Sequence, residues 1–319
     1  MPVLDVEGLR TYYTTLRGDV KAVDGISFNV EKGEALGIAG ESGCGKTTLA
    51  LSLLRLLPSG GKIVAGTVVF DGTSLGSLTD EGIRKIRWKG ISLVFQGAMN
   101  ALNPVFKIGD QIVEAVKTHE PRTSNREAWK RAGDLLELVG IERGRATNYP
   151  HEFSGGMKQR ALIAMALALN PQMLIADEPG TALDVIVQAQ VLKLMRELKS
   201  KLDLGMILIS HDLSILAETS DKLAIMYAGK FVEYGDVKEV FHEPLHPYTK
   251  GLLGAFPRIQ GAKQKLLSVP GSPPDLLSPP TGCRFHPRCP YAMEICKQEE
   301  PLLKKAGSGQ HDVACWLYK

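Results

Sequence analysis

The chain has 319 residues, of which 44% are hydrophobic and 23% charged, an ordinary composition for a globular protein of one large domain or two smaller ones. Its net charge of +3 is too small to indicate a nucleic-acid surface by itself. The apolar runs, such as MALAL, are far shorter than the roughly 18 residues of a membrane span, and the N-terminal segment resembles no secretory signal. We therefore expect a cytoplasmic protein whose membrane role, if it has one, depends on a separate subunit.

A glycine-rich segment, EALGIAGESGCGKTTLALSLLRLL, is the first strong motif. It contains Gly40-x-x-x-x-Gly45-Lys46-Thr47, the P-loop pattern, between a run typical of a buried strand and a run with helical spacing. Glycines let the backbone N–H groups of such a loop turn inward around phosphate oxygens. We expect Lys46 to reach the β- and γ-phosphates and Thr47 to bind Mg²⁺. Cys44 is interpreted as a small filler of the loop and not as a nucleophile.

The next segment with a clear period is SNREAWKRAGDLLELVGIE, which predicts a helix. Ser124 and Glu127 form a capping box, and Gly140 fits the position after the helix end. One face of this helix would be apolar, consisting of Ala128, Ala132, Leu135, Leu136 and Val139.

A second anion-binding helix start follows at FSGGMKQR, residues 153–160. Ser154, Gly155 and Gly156 stand directly before the helical run RALIAMALAL. A serine and two glycines at a helix N-terminus form an anion site. The chain therefore has two phosphate-binding helix starts but a single P-loop.

A carboxylate pair ends the apolar strand in LIADEP, residues 174–179. Alone, Asp177 and Glu178 would be read as two acids in a solvated turn. Together with a P-loop upstream, Asp177 suits the Mg²⁺ shell and Glu178 suits polarisation of an attacking water. The sequence therefore predicts binding and hydrolysis of a nucleoside triphosphate.

Residues 257–319 differ in composition from the rest of the chain. They hold nine Lys or Arg against five Asp or Glu, and nine of the eighteen prolines. This predicts an irregular, loop-rich extension, with a domain boundary near residues 256–262. Four of the five cysteines lie in it: Cys283, Cys289, Cys296 and Cys315.

Several interpretations of these four cysteines stay open. Disulfides are disfavoured in a reducing cytoplasm. A zinc site would lack the paired C-x2–4-C knuckles, although His286 and His311 are near enough in sequence to serve as ligands. An iron–sulfur cluster also uses four thiolates, and the wide, uneven spacing suits an object larger than one ion. Metal-free buried thiols are the remaining interpretation. A bound metal group would stabilise an extension too polar and short to fold alone.

Together these motifs resemble the ATP-binding cassette (ABC) ATPases, and Phe153–Met157 match the signature motif of that family. The resemblance implies an α/β fold: a P-loop NTPase core with a RecA-like parallel sheet and an antiparallel β-subdomain. It places the ATPase domain at residues 1–256, with an inserted helical subdomain at about residues 97–165. Residues 257–319 would form a small, irregular, cysteine-bearing C-terminal extension.

Further site residues follow from the resemblance. Gln96 looks like the Q-loop glutamine, which contacts Mg²⁺ and water and senses the transmembrane partner. Thr181–Asp184 look like the D-loop that crosses a dimer, and His211 in ILISHDL looks like the switch histidine at the γ-phosphate. Tyr13 stands at the position of the aromatic that stacks on adenine, with Tyr12 as the alternative.

The resemblance thus implies a complete set of site residues. The catalytic residues would be Lys46, Gln96, Glu178 and His211. The Mg²⁺ ligands would be Thr47, Gln96 and Asp177. The nucleotide contacts would be Tyr13, Gly40, Ser42, Gly43, Cys44, Gly45, Lys46, Thr47, Thr48, Ser154, Gly155, Gly156 and Asp184.

Three stretches resemble the oligopeptide/dipeptide importer ATPase subunits in particular: QGAMNALNP, the run at 226–253, and the cysteine-bearing extension at 257–319, called the tail from here on. Several members of that branch are described as carrying a [4Fe–4S] cluster in this tail. The resemblance implies a peripheral subunit at the cytoplasmic membrane face, paired with a second ATPase subunit, either a paralogue or an identical copy. Two permease subunits and, indirectly, a solute-binding protein would complete the importer. Related importers carry sugars or nickel, so the solute stays open.

Two positions depart from the usual pattern, and two other classes stay as alternatives. Gly97 stands where an acidic residue is common, and Gly180 where Thr or Ser is common. One alternative is a soluble ABC ATPase acting on nucleic acid or ribosomes with a metal-bearing basic tail, against which the single cassette argues. The other, a non-catalytic regulatory cassette, would require damage at Glu178 or His211, and both are present.

Overall fold

The computed structural model describes residues 2–95, 97, 101–254, 269–306 and 311–318 of the chain. Its strands are β1 (Leu4–Thr15), β2 (Gly18–Val30), β3 (Ala35–Ala39), β4 (Gly61–Phe70), β5 (Thr73–Ser74), β6 (Ile91–Val94), β7 (Met173–Asp177), β8 (Gly205–Ile209), β9 (Lys222–Tyr227), β10 (Lys230–Asp236), β11 (Lys304–Lys305) and β12 (Asp312–Val313). Its helices are α1 (Lys46–Leu53), α2 (Asp80–Ile86), α3 (Ile108–His119), α4 (Asn125–Leu138), α5 (Gly155–Ala166), α6 (Val185–Leu202), α7 (Leu213–Thr219), α8 (Val237–His242), α9 (Pro247–Gly254) and α10 (Glu294–Gln298).

The chain divides into two compact units, each made of several segments. The first consists of Met1–Leu4, Val30–Ala35 and Phe70–Ile209. The second consists of Asp5–Asn29, Leu36–Val69 and Ser210–Lys319. In the described part of the chain, no helix is both long and apolar enough to cross a membrane. The predicted domain boundary near 256–262 lies outside the described residues and stays a prediction.

A parallel sheet forms the centre of the first unit. In it, β7 lies between β6 and β8, so that Met173 pairs with Ile91 on one side and with Gly205 on the other. Every residue of β7 and β8 is buried, as is typical of parallel strands that are covered on both faces. The strands run in the same direction, so their carboxyl ends share one edge of the sheet. Asp177, the last residue of β7, lies at that edge.

Helices α3, α4 and α5 pack together within the first unit. The predicted features of α4 are confirmed: Ser124 Oγ accepts the N–H of Glu127 at 3.2 Å, and Gly140 follows the helix with φ 75°. The predicted apolar face is buried and consists of Ala128, Ala132, Leu135, Leu136 and Val139. These helices lie in the segment for which the sequence predicts a helical subdomain.

Two sheets organise the second unit. In one, β3 and β9 are parallel, β10 is antiparallel to β9, and β12 of the tail pairs with β10 through Val313 and Glu233. In the other, β1 lies between β2 and β4. Only two residues connect β1 to β2, which makes them an antiparallel hairpin. Apart from β11, β12, α10 and a single 3-10 turn at His286–Arg288, the described part of the tail consists of turns and short irregular segments, as its composition predicts.

Candidate nucleotide-binding site

The phosphate loop connects β3 to α1 and requires glycine at both of its ends. Gly45 has φ 111°, and a Cβ there would lie 2.0 Å from the carbonyl oxygen of Ala22. A Cβ on Gly40 would lie 2.2 Å from the carbonyl oxygen of Met226. Gly43 differs, because a Cβ there would meet nothing within 4 Å. The loop therefore packs closely at its ends and is open at its middle, the shape that a phosphate cradle requires.

Lys46 is the first residue of α1 and is bonded to the loop that precedes it. Its Nζ donates to the carbonyl oxygens of Gly40 at 2.7 Å and Glu41 at 3.0 Å, and the side chain is buried. Thr47 is exposed and Thr48 is half-buried in the same helical turn. An ammonium group beside the N–H groups of a helix start creates the positive potential that phosphate binding needs.

Cys44 is buried inside the phosphate loop. Burial raises the pKa of its thiol, and the nearby ammonium of Lys46 opposes this only in part. Its carbonyl oxygen accepts the N–H of Gly229 at 2.8 Å. A neutral thiol that faces the interior is a packing residue, which supports the interpretation of Cys44 as a filler.

The two candidate tyrosines of β1 have different partners. Tyr12 Oη donates to Oδ1 of Asp24 at 2.7 Å, and burial together with this carboxylate raises the pKa of Tyr12 to about 12. The hydroxyl of Tyr13 instead lies 3.4 Å from Oγ1 of Thr48 in α1. Tyr13 is therefore the tyrosine beside the phosphate loop, and Tyr12 is engaged elsewhere.

The carboxylate pair at the end of β7 has an unusual backbone conformation. Asp177 is buried, whereas Glu178 is half-buried and has φ 52°. A left-handed conformation at a glutamate costs free energy, and such residues concentrate at functional sites. The N–H of Glu178 donates to the carbonyl oxygen of Ile209 at 2.9 Å, and its Oε2 accepts from Thr181 Oγ1 at 2.9 Å. The first bond holds the backbone of Glu178 at the strand end, and the second orients its carboxylate.

The signature segment and the D-loop meet within the first unit. Ser154 caps α5 by accepting the N–H of Met157 at 3.3 Å, and Asp184 caps α6 by accepting the N–H of Val187 at 3.0 Å. A Cβ on Gly156 would lie 2.3 Å from Cγ1 of Val187. The glycine therefore allows the starts of the two helices to approach each other closely. Both capping side chains, Ser154 and Asp184, belong to exposed residues.

Two apolar side chains directly after the D-loop face solvent. Val185 is 80% exposed and Ile186 is 73% exposed. Adjacent exposed aliphatic side chains next to a functional loop are typical of a surface that another chain covers.

His211 lies between β8 and α7 and is exposed. The turn around it is held by Asp212, whose N–H donates to Ser210 Oγ at 3.0 Å and whose Oδ1 accepts the N–H of Ser214 at 2.9 Å. Gln96 lies outside the described residues, so its predicted contact with Mg²⁺ and water stays a prediction.

The four tail cysteines are free thiols that influence one another. Burial raises the pKa of Cys283 to about 11, with smaller contributions from the other three thiols. The N–H of Cys283 also donates to the carbonyl oxygen of Cys296 at 2.8 Å. These contacts bring the separate cysteine segments into one neighbourhood.

The thiols as placed do not match a site for one metal ion. Among the residues that the structure describes, no three His, Cys, Asp or Glu side chains are positioned to hold such an ion. His311 Nε2 instead lies 2.7 Å from Oε1 of the buried Glu233, and His286 Nδ1 lies 2.9 Å from the carbonyl oxygen of Cys283. The predicted zinc alternative with a histidine ligand therefore gains no support.

Two tail arginines that the sequence analysis did not single out bind residues of the second unit near the phosphate loop. Arg284 donates to the carboxylate of Asp24, the residue that also accepts from Tyr12. Arg288 donates to both carboxylate oxygens of Glu41, at 2.6 and 2.9 Å. Because 247 residues separate Arg288 from Glu41, no local pattern in the sequence marks this pair.

Two family models and several known transport proteins are similar to this chain. The family model described as ABC transporter matches residues 23–181, and the one described as oligopeptide/dipeptide transporter, C-terminal region, matches residues 232–296. The dipeptide transport ATP-binding protein DppD of Bacillus subtilis (strain 168) is 48% identical over 318 residues, covering 99% of this chain and 94% of that protein. The oligopeptide transport ATP-binding protein OppD of Escherichia coli (strain K12) is 46% identical over 302 residues, covering 94% and 89%.

Solved structures show the same fold. One is cbiO1 from Clostridium perfringens, part of the ABC transporter complex cbiONQ, with a TM-score of 0.66 and 30% identity over 76% of this chain and 91% of that chain. Another is a dimeric, post-hydrolysis state of the ATP-binding cassette MJ0796 bound to ADP and Pi, with a TM-score of 0.65 and 26% identity over 73% and 98%. The predicted P-loop NTPase fold is thus confirmed.

These relatives are named for transport, and none is named for nucleic acid or ribosomes, so the nucleic-acid alternative has no support. The intact phosphate loop, the carboxylate pair and the match to the ABC transporter family identify an ATP-hydrolysing enzyme. The chain belongs to the ATP-binding subunits of the oligopeptide/dipeptide ABC transporter family.

Proposed function

We propose that this chain hydrolyses ATP to drive the import of peptides, as a peripheral subunit at the cytoplasmic face of a membrane transporter. The observation that carries the proposal is the 48% identity to a dipeptide transport ATP-binding protein over 99% of this chain. The solved cassettes cover only 73–76% of the chain, whereas the peptide-transport relatives cover nearly all of it. The similarity to the peptide-transport proteins thus extends over the C-terminal part of the chain, where the oligopeptide/dipeptide transporter model also matches. This supports a peptide as the transported solute.

The phosphate loop and the end of β7 supply the groups that a magnesium nucleotide needs. Bound Mg²⁺ neutralises charge on the β- and γ-phosphates. In this chain the hydroxyl of Thr47 and the carboxylate of Asp177 would hold it, since both are oxygen ligands of the kind Mg²⁺ prefers. Lys46 would bind the phosphates, Gln96 would add a contact to metal and water, and Tyr13 would stack on adenine.

Glu178 is proposed to orient and activate the attacking water, and His211 to contact the γ-phosphate. The left-handed backbone of Glu178 and its bond to Thr181 hold its carboxylate in one direction, as a general base requires. His211 is an exposed residue directly after β8, which supports a contact with a bound nucleotide.

We also propose that two such cassettes enclose two ATP molecules head to tail. Ser154, Gly155 and Gly156 of one subunit would cap the nucleotide on the phosphate loop of the other, and Asp184 would cross between them. The exposed Val185 supports a covered surface beside the D-loop, and the MJ0796 cassette has been solved as a dimer with ADP and Pi. The second cassette would be a paralogue or an identical copy. Two permease subunits would receive the motion, and a solute-binding protein would deliver the peptide.

The proposed domain organisation is an ATPase domain at residues 1–256, with a helical subdomain at about 97–165, and an extension at 257–319. We propose a [4Fe–4S] cluster on the four thiols of that extension. Four thiolates are the usual ligand set of such a cluster, and each thiolate binds a different iron, so the sulfurs stand farther apart than around one ion. The other three thiols each raise the pKa of Cys283, and this proximity supports the choice.

The cluster is tested by measuring iron, zinc and acid-labile sulfide on protein purified without oxygen. We expect about four irons and four sulfides per chain. Replacing Cys289 with serine should lower both values. A colourless protein without iron and sulfide would exclude the cluster.

The transport function is tested in vesicles that contain this chain, its partner ATPase and the permeases. With the solute-binding protein present, a labelled dipeptide or oligopeptide should accumulate inside and should stimulate ATP hydrolysis. A matched assembly carrying Glu178→Gln should bind ATP but transport nothing. Stimulation by a sugar or by nickel, with none by peptides, would reassign the solute.

A further inference from the structure

Glu41, the second residue of the phosphate loop, is held at all of its polar groups. Its N–H donates to Oη of Tyr248 at 2.9 Å, and its carbonyl oxygen accepts from Lys46 Nζ at 3.0 Å. Its carboxylate accepts two hydrogen bonds from Arg288, at 2.6 and 2.9 Å. Its carbonyl oxygen also accepts the N–H of Cys44 at 3.3 Å. Two of the four partners come from the C-terminal part of the chain, and a third is the phosphate-binding lysine.

Arg288 is held rigidly on the tail side of this contact. Its Nε donates to the carbonyl oxygen of Pro270 at 2.7 Å, and its guanidinium lies 5.7 Å from the ring centre of Tyr227 and 6.0 Å from that of Phe285. Only 6% of the Arg288 side chain is exposed. A guanidinium fixed in this way presents its two parallel N–H groups in one orientation, which suits a two-point bond to a carboxylate.

Tyr248 adds a second fixed point. The residue is completely buried in α9, with its ring centre 4.6 Å from that of Tyr227 and 5.4 Å from that of Phe285. The hydroxyl of Tyr248, held in place by these two rings, accepts the N–H of Glu41. The same two aromatic side chains therefore support both Arg288 and Tyr248, and through them a single residue of the phosphate loop.

From these contacts we infer that Arg288 is a positioning residue for ATP binding, which acts through Glu41 on Lys46. The guanidinium fixes the carboxylate of Glu41, and the backbone of that residue carries the carbonyl to which Lys46 is bonded. The orientation of the lysine that meets the phosphates thus depends on a side chain of the tail. This inference uses the ATPase activity of the chain and is independent of the solute.

A loosened phosphate loop should weaken nucleotide binding more than it slows the chemical step. Lys46 contacts the phosphates both in the ATP complex and in the transition state of hydrolysis. A poorly positioned Lys46 therefore binds the ground state and the transition state less tightly by a similar amount. Such a change raises KM with kcat nearly unchanged. A side chain that only stabilises the fold would lower the melting temperature without this selective loss of ATP affinity.

The test uses the full-length chain and measures the Kd for Mg-ATP by fluorescence titration, the kinetic constants, and the melting temperature without nucleotide. Arg288→Lys keeps the positive charge and removes the two-point geometry. Glu41→Gln removes the carboxylate charge, and Tyr248→Phe removes only the acceptor for the Glu41 N–H. Lys297→Ala is the control, because Lys297 pairs with Glu294 on the exposed surface of the same tail.

We expect Arg288→Lys and Glu41→Gln each to raise the Kd for ATP by about tenfold, with kcat within about twofold of the unaltered protein. The double variant should be no worse than either single one, because the two residues act as a pair. Tyr248→Phe should raise Kd by about threefold, and Lys297→Ala should leave it unchanged.

Unaltered ATP affinity in Arg288→Lys, or full additivity in the double variant, would overturn the inference. If Arg288→Lys does not fold, the test rests on the other two variants. Unaltered ATP affinity in both Glu41→Gln and Tyr248→Phe would then overturn the inference.

Discussion

The phosphate loop and the cysteine-bearing tail, both in the second unit, are stabilised in different ways. The loop depends on backbone conformation, since Gly45 lies where a Cβ would collide with a carbonyl oxygen. The tail has few helices or strands of its own and depends on side-chain ion pairs with distant residues. Arg284 binds Asp24, and Arg288 binds Glu41.

This difference separates the expected effects of substitutions. Changes at the loop or at the carboxylate pair of β7 should damage binding or chemistry directly, because these groups touch the nucleotide. Changes in the tail should act on stability and on the position of the loop, and should leave the chemical step intact.

The largest effect is expected for Glu178→Gln. Gln keeps the shape of the side chain and removes its ability to accept a proton from water, so hydrolysis should fall by about 10²- to 10⁴-fold. Binding of ATP should be retained, because the phosphate loop is unchanged. Single-turnover hydrolysis and ATP titration on the same preparation check this. Hydrolysis at the normal rate would remove Glu178 from the catalytic assignment.

Gly45→Ala should destabilise the second unit by about 3 kcal/mol or more, because a Cβ would lie 2.0 Å from the carbonyl oxygen of Ala22 in addition to the unfavourable φ of 111°. The matched control is Gly72→Ala, where φ is 72° but nothing lies within 4 Å of the added Cβ. That control should cost only about 1 kcal/mol of conformational strain. Urea unfolding compares the two, and equal losses would contradict the role given to close packing.

Arg284→Leu should cost about 2 kcal/mol of stability, because it removes the buried guanidinium that donates to the carboxylate of Asp24. The other two cations at this carboxylate, Arg10 at 3.5 Å and Lys230 at 3.8 Å, remain. Lys297→Ala breaks an ion pair on the exposed surface of the same tail and should change stability by no more than about 0.5 kcal/mol. Chemical unfolding measures both. A similar, small loss in the two variants would show that the tail is not held by its buried arginines.

The last effect is absent at neutral pH: it is a pH dependence at His246 that acts only below about pH 6.5. Burial lowers the pKa of His246 to about 4, and its Nδ1 accepts the N–H of Tyr248 at 3.1 Å, so the folded protein holds the ring neutral. In the unfolded chain the pKa is about 6.5, so the unfolded state takes up the proton first. The free energy of unfolding should therefore fall as pH drops from about 6.5 towards 4, by up to about 1.4 kcal/mol per pH unit.

His246→Asn isolates this contribution, because Asn keeps an acceptor for the N–H of Tyr248 and does not titrate. The charged groups facing the ring, Glu233 and Lys250, are the same in both proteins. The difference between the two unfolding profiles between pH 6.5 and 4 therefore reports His246. Identical profiles would contradict the pKa lowering.

Much of the fold and site follows from local sequence patterns. The strand–loop–helix around Gly40–Lys46 and the capping of α4 by Ser124 were predicted, and the structure contains both. The choice of Tyr13 over Tyr12 came from the family resemblance and not from the strand pattern, because adjacent strand residues point to opposite faces and the pattern does not show which face meets α1. The structure separates them by their partners, Asp24 for Tyr12 and Thr48 for Tyr13.

The sequence by itself determined the nucleotide chemistry, because the glycine φ values, the helix starts and the strand-end carboxylates depend on residues a few positions apart. It also marked the tail by its prolines and cysteines. Only the tertiary structure decided what the tail does to the phosphate loop. Arg288 and Glu41 are both common charged residues, and a partner 247 positions away becomes recognisable only when the chain is folded.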